Sequence, residues 1–284
     1  MNAPAVSART DWVPHWLRVL ADLAATLILW CYFTVGFVLF FAPLYVLAAV
    51  AARDRPRAFQ RINHIFYRGF FLLCRVVLPR QRWRIDPALK QVHGAVVVCN
   101  HLSYIDPLLL IATFARHTTI VKSRLLNIPI FGWMLRLSGY LPDVSQGRLA
   151  GRMVALMEAM PGFLSAGGNL IIFPEGTRSR TGAMGTLNPG AFKIARLCRA
   201  PVAVAAIENS DRLFTPGRFR FNACRANTIS LTLLSCLTPD YDSPHFSTRK
   251  LIDQIGRLFA SRRGQTAEHP GDAFVFIEQR AEEP

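Results

Sequence analysis

Ala95-Val96-Val97-Val98-Cys99-Asn100-His101-Leu102-Ser103-Tyr104-Ile105-Asp106-Pro107 is the stretch on which the reading of this 284-residue chain turns. Ala95–Cys99 is a short apolar run with three consecutive valines, the pattern of a buried strand. Asp106-Pro107 is a good N-cap followed by proline at the first helical position, so a helix is expected to start at Pro107. Working outward, Thr118–Val121, Leu170–Phe173, Val202–Ile207 and Ile229–Leu237 read as further buried strands. Between them, Met153, Leu156, Met157, Met160, Phe163 and Leu164 mark one amphipathic helix. Leu251, Ile252, Ile255, Leu258 and Phe259 mark another, with Ser247 as its N-cap. Strands alternating with helices give an α/β fold, a mainly parallel sheet flanked by helices, over residues 85–263. Such sheets place functional loops at the carboxyl ends of their strands. A polar tail is expected over 264–284, with Phe274–Ile277 apolar enough to add a short strand.

Two strand ends carry chemistry. On one continuous helix His101 and Asp106 would lie about 140° apart, so they meet only if the backbone turns between them. A turn ahead of Pro107 would let the Asp106 carboxylate hold one imidazole nitrogen, leaving the other as a general base. The blander alternative is a capping Asp106 beside an ordinary loop histidine. No serine or cysteine occupies a G-x-S-x-G elbow, so a covalent acyl-enzyme has no evident carrier. After Leu170–Phe173 comes Pro174-Glu175-Gly176-Thr177-Arg178-Ser179-Arg180. Gly176 permits a tight turn, Thr177 supplies a hydroxyl, and Arg178 offers a planar fork suited to phosphate. The alternative there is a solvated turn with a surface arginine.

The composition is 51% hydrophobic and only 18% charged, with a mean hydropathy of +0.25, and leans towards membrane association. The formal net charge is +15, which calls for an anionic partner: nucleic acid, anionic lipid or a phosphorylated substrate. Leu23–Ala52 has no charged side chain and, at about 45 Å as one helix, exceeds the roughly 30 Å hydrocarbon core. Gly36 and Pro43 lie inside it. Either a tilted or kinked helix spans the bilayer, or two shorter helices meet near Pro43 and dip into one leaflet. From Arg53 to Lys90 ten Lys/Arg oppose Asp54 and Asp86, which places that side in the cytoplasm and favours anionic headgroups. Ile62, Ile65, Phe66, Phe70, Leu73 and Val77 recur at helical spacing there, and Arg61, Arg68 and Arg75 every seven residues. That pattern fits a basic amphipathic helix over about 58–78 lying on the membrane, or else a core-facing helix. Residues 1–84 thus form the N-terminal membrane-anchoring helices. No nucleic-acid-binding motif accompanies the charge. The six cysteines are scattered without a CxxC pair, which fits a reduced compartment and argues against structural zinc.

Asn100-His101 to Asp106, followed by Phe173-Pro174-Glu175-Gly176-Thr177-Arg178, resembles the glycerolipid acyltransferase family, typified by bacterial 1-acylglycerol-3-phosphate acyltransferases. Two further blocks carry the resemblance over roughly Val92–Asn209. One runs from Lys122 through Pro129-Ile130-Phe131-Gly132-Trp133 to Gly139-Tyr140-Leu141-Pro142. The other is Ala200-Pro201-Val202-Ala203-Val204-Ala205. The resemblance implies His101 as base with Asp106 as its orienting partner, Glu175 and Gly176 shaping the acceptor loop beside Thr177, and Lys122 and Arg178 contacting an acceptor phosphate. One departure stands out: where family members end the second block with Asp-Arg, Asp143-Val144-Ser145 follows here, and no arginine appears until Arg148.

The expected activity is acyl transfer from acyl-CoA or acyl-carrier protein to the free hydroxyl of a lysolipid. Lysophosphatidate giving phosphatidic acid is the leading case. No metal or cofactor is expected. The expected place is the bacterial inner membrane, with the catalytic domain on its cytoplasmic face and anionic lipids as partners. The altered second block keeps other acceptors open, such as a lyso-aminolipid (lyso-ornithine lipid) or another lysophospholipid. A non-catalytic lipid-binding adaptor is the rival of another class.

Overall fold

The computed structural model describes residues 14–143, 149–179 and 185–268, with side chains to Arg262. Its first element is one continuous helix, His15–Ala51, made of α1 (His15–Cys31), a π-helical stretch (Tyr32–Phe41) and α2 (Ala42–Ala51). The alternative of two helices meeting near Pro43 does not form. Pro43 sits in the first turn of α2, and the wider turns before it, with the Ala42 amide donating to the Phe37 carbonyl, accommodate its ring. The helix is long and apolar enough to cross a membrane, and little of its most apolar stretch is buried. It is docked nonetheless. The Thr26 hydroxyl accepts from the Phe221 amide at 3.0 Å, Asp22 accepts from the Cys224 amide at 2.9 Å, and Trp30 stacks on Phe219.

Asp54 caps α3 (Arg55–Val77) by accepting from the Arg57 amide. Its apolar stripe was expected to face lipid or core, and most of it is taken up by protein. Phe59, Phe66, Phe70, Phe71 and Cys74 are buried, and Tyr32 stacks on Phe66. What remains exposed is a second stripe in which Ile65, Leu72 and Val76 alternate with Arg61, Arg68 and Arg75.

The chain continues through β1 (Gln81–Ile85), a 3₁₀ turn (Pro87–Gln91), β2 (Val96–Cys99), α4 (Ile105–Thr113), β3 (His117–Val121), α5 (Ser123–Leu126), α6 (Phe131–Leu137) and β4 (Leu141–Pro142). Then follow α7 (Ala150–Ser165), β5 (Asn169–Ile172), α8 (Gly190–Leu197), β6 (Val202–Glu208), α9 (Ser210–Leu213), β7 (Asn227–Leu237) and α10 (Thr248–Glu268). The sheet order is β1-β7-β6-β2-β5-β3-β4, parallel from β6 to β4. β7 is antiparallel to β6, and β1 pairs with β7. The five expected strands form within one or two residues. β1 and β4 were not foreseen. β1 reads as part of the basic segment because Arg82 and Arg84 point outward from an edge strand while Gln81 is buried, so the sheet domain begins before residue 85. β4 is too short to show a period. At the other end α10 runs past Gly264 to Glu268. The Phe274–Ile277 strand lies outside the described residues.

Alternation along the central strands sends Val97, Cys99, Ile171 and Ala205 to a core shared with α1, α3 and α4. Val96, Val98, Leu170 and Val204 go to a second core under α7, α8 and α10. Both faces are covered, so the parallel strands read as unbroken apolar runs.

A buried polar network ties the N-terminal helices to the sheet. The Tyr45 hydroxyl donates to Asn63 Oδ1, and Asn63 Nδ2 donates to Ser138 and to the Tyr140 hydroxyl. Tyr140 in turn meets His117 Nε2 at 2.7 Å, while His117 Nδ1 faces the Phe114 carbonyl at 2.8 Å. Burial lowers the His117 pKa to about 3. The folded-state value lies below the unfolded one, so this contribution is complete above about pH 6.5 and is lost as pH falls towards 3. Each pH unit in that window should cost up to about 1.4 kcal/mol. Melting temperature followed from pH 7 to 4 should therefore drop more steeply for the native chain than for His117→Gln, and parallel acid limbs would refute the assignment.

Candidate active site

The parallel strands bring their carboxyl ends to one edge, so the segments after β2, β3 and β5 emerge side by side. Asn100 fastens the first of these: its amide group donates to the Ile207 carbonyl and accepts from the Ile207 amide at the end of β6. The backbone then bends through 101–104, and His101 Nδ1 lies 3.0 Å from Asp106 Oδ2. The carboxylate is fully buried, while the imidazole keeps 17% of its surface open. With Nδ1–H donating to Asp106, Nε2 has no protein partner among the described residues and is free to take a proton.

The helix, however, starts at Ile105 and not at Pro107. Asp106 lies in the first turn and does not cap it. Its Oδ2 reaches backwards to accept from the Leu102 and Ser103 amides at 2.6 and 2.7 Å, which closes the turn that carries His101. A three-residue bend held by one carboxylate competes with the Asp-Pro start signal and wins, because two buried amides would otherwise lack acceptors.

The β5 loop closes the other side. Phe173 stacks on the His101 ring, with centroids 4.3 Å apart. Glu175 Oε1 accepts from the His101 amide at 3.1 Å and Oε2 from the Gly185 amide at 2.9 Å, while the Ser179 amide donates to the His101 carbonyl. The two loops are thus laced together through backbone groups. Gly176 takes φ +67°, a conformation that favours glycine, at the tight turn. Thr177 is exposed. The Arg178 guanidinium carbon sits 3.4 Å above the centre of the Tyr104 ring, and its buried Nη1 has no hydrogen-bond partner among the described residues.

Lys122 is exposed at the end of β3, just ahead of α5. Asp143, from the end of β4, accepts there from both the amide and the hydroxyl of Ser123. Burial raises the Asp143 pKa, but those two donors, with Lys122 nearby, outweigh it and leave the carboxyl below its ordinary value. Gly132 admits the Leu126 carbonyl where a side chain would collide with it. The alternative nucleophiles are disarmed. The Cys99 thiol is pushed well up by burial, with Asp106 and Glu175 adding to the effect, and the buried Ser103 hydroxyl donates to the Phe214 carbonyl at 2.6 Å. Phe173, Tyr104 and the Glu175–backbone ties went unread in the sequence. Most depend on contacts across 70 residues or more, such as Glu175 to the His101 amide, or on a stack formed only once the loops meet, and have no local signature.

An acyltransferase family model matches residues 82–208, which hold every one of these side chains. That stretch is thus similar to an acyltransferase domain. The chain is 34% identical over 123 residues to the chloroplastic 1-acyl-sn-glycerol-3-phosphate acyltransferase of Arabidopsis thaliana, a match covering 43% of this chain and 34% of that one. It is 33% identical over 108 residues to the 1-acyl-sn-glycerol-3-phosphate acyltransferase of Pseudomonas aeruginosa, covering 38% and 41%. The match takes in about a third of the length of the chloroplastic relatives. The crystal structure of the 1-acyl-sn-glycerophosphate acyltransferase PlsC from Thermotoga maritima superposes with a TM-score of 0.65 at 22% identity. That superposition covers 87% of this chain and 97% of the other, so the shared fold extends well beyond residues 82–208.

Proposed function

We propose that the protein transfers a fatty acyl chain from a thioester, acyl-CoA or acyl-carrier protein, to the free hydroxyl of a lysolipid. Lysophosphatidate, giving phosphatidic acid, is the acceptor the relatives' names favour. The observation that carries the reading is the His101–Asp106 pair at 3.0 Å, with an arginine on the facing loop whose buried Nη1 has no partner among the described residues. His101 Nε2 takes the acceptor hydroxyl proton as that oxygen attacks the thioester carbonyl. Asp106 holds the ring in the tautomer this requires and faces the imidazolium as it forms. Thiolate then leaves as the tetrahedral intermediate collapses, and the proton on His101 is available to it. Neither a metal nor an acyl-enzyme is needed, and the buried Cys99 and Ser103 are unsuited to carry one. Arg178, with Lys122, would bind the acceptor phosphate, and the Glu175–Gly176–Thr177 turn would shape its pocket.

The apolar His15–Ala51 helix supports attachment to a membrane, with the basic residues after it on the cytoplasmic side of a bacterial inner membrane and in contact with anionic headgroups. A lysolipid would then reach the site without its chain leaving the bilayer. The test is an acyl-transfer assay on detergent-purified protein, with oleoyl- and palmitoyl-CoA or acyl-carrier protein against a panel of lysolipids, read by mass spectrometry. Product from lysophosphatidate alone supports the leading reading. Product from a lyso-aminolipid or another lysophospholipid alone would shift it to the second, which the absent arginine after Asp143 favours. No product with any donor would favour a lipid-binding adaptor. Arg178→Ala should raise the acceptor KM by roughly 10- to 100-fold, the worth of a charge-assisted contact. The donor KM should stay put, and an unmoved acceptor KM would remove Arg178 from phosphate binding.

A further inference from the structure

Tyr104 is one of the residues between His101 and Asp106, and nothing in the chemistry proposed above uses it. We propose that Tyr104 is the positioning residue that presents the Arg178 guanidinium to the acceptor phosphate. The inference rests on the reading of Arg178 as the phosphate ligand.

Three observations converge. First, the Arg178 guanidinium carbon lies 3.4 Å above the ring centroid, the closest of the cation–ring contacts among the described residues. Second, Nη1 of that guanidinium is buried with no hydrogen-bond partner among the described residues, so neither a carboxylate nor a carbonyl has claimed it. An arginine resting on a ring in this way leaves that N–H, at the edge of its fork, unspent. Third, the shelf is built to stay where it is. Tyr104 is the N-cap residue of α4, in helical geometry, so its Cα–Cβ direction is set by the same bend that closes on Asp106. Its ring packs 6.0 Å from Phe214, which is buried and stacks in turn on Phe221 at 4.4 Å. Ser103, next to it in the chain, donates to the Phe214 carbonyl.

The consequence is that the base and the phosphate ligand are referenced to one short segment. Asp106 orients His101 from one side of the turn, and Tyr104 orients Arg178 from the other. The Ser179 amide, one residue beyond Arg178, donates to the His101 carbonyl and locks the spacing. A free arginine side chain carries rotamer entropy that phosphate binding would have to remove, and a pre-stacked one has already lost much of it. Tyr104 is half exposed, so removing its ring opens no core cavity.

Acceptor and donor kinetics would be measured for Tyr104→Leu, Tyr104→Phe, Arg178→Ala and the Tyr104→Leu/Arg178→Ala double variant, with thermal melts as a check on folding. Tyr104→Leu should raise the acceptor KM about tenfold while leaving the donor KM and kcat within twofold. Tyr104→Phe, which keeps the ring face, should bring the acceptor KM back to within about twofold of the native value. In the Arg178→Ala background Tyr104→Leu should add nothing, because the two act through one contact. An acceptor KM that Tyr104→Leu leaves unchanged, or an equal rise with and without Arg178, would overturn the positioning role. If Arg178→Ala itself leaves the acceptor KM unmoved, the phosphate reading fails and this inference falls with it. Should Tyr104→Leu melt early, Tyr104→Met, unbranched and of similar reach, takes its place with the same expected pattern.

Discussion

His101→Ala is expected to lower kcat by roughly 10²–10⁴-fold, the range a positioned general base contributes. The melting temperature and partition onto anionic vesicles should not change. The stability half of that expectation follows from packing: the imidazole is partly open, and the backbone ties of residue 101 to Glu175 and Ser179 do not involve its side chain. Product formation at the native rate would remove His101 from the mechanism. A variant that fails to fold would instead show that the Phe173 stack is part of the scaffold.

Asp106→Ala is expected to do something different, and the difference separates orientation from architecture. The carboxylate accepts from the imidazole and from two buried amides. Removing it strands the Leu102 and Ser103 N–H groups at about 1–3 kcal/mol each, which in a domain of this size means a fall of roughly 4–20 °C in melting temperature. Activity should vanish with the turn. Asp106→Asn can keep one oxygen for the Leu102 and Ser103 amides and for His101 Nδ1, which all meet the same carboxylate oxygen, but it removes the negative charge that faces the imidazolium. It should melt close to the native temperature and yet lose roughly 10²–10⁴-fold in kcat, because the base is no longer charge-stabilised. If both variants lose stability equally, Asp106 is needed for the fold first. If neither loses activity, the base is not oriented by this residue.

Much of the site was legible in the sequence because its residues follow directly on strands, and strands announce themselves by composition. Val96–Val98 and Leu170–Ile172 are apolar on both faces, since both are covered, and a parallel sheet then carries the loops behind them to one edge. That is enough to bring His101 and the Glu175–Arg178 loop to the same edge. Asp106 was read as partner to His101, but as the cap of a helix that in fact begins at Ile105. The Asp-Pro signal is local, whereas the hydrogen bonds that set the start run backwards to amides whose burial depends on Phe214 and the rest of the sheet. The basic helix α3 shows the same limit. Its period was plain, and which side of it would meet protein was not, because Phe66 and Phe70 suit lipid and a protein core equally well.

The amino-acid sequence by itself determined the α/β alternation, the apolar N-terminal helix, the excess of positive charge beside it and the chemical identity of the groups at two strand ends. These follow from side-chain composition and spacing, which act over one or two turns of chain. Only the tertiary structure decided that Pro43 interrupts no helix, that β1 and β4 complete the sheet, that Glu175 is spent on the His101 and Gly185 amides, and that Arg178 lies on Tyr104. Each of these joins residues whose meeting depends on closing the sheet or on absorbing a local strain elsewhere. The free energy that settles them is that of burying polar groups with or without partners, which no single stretch of sequence contains.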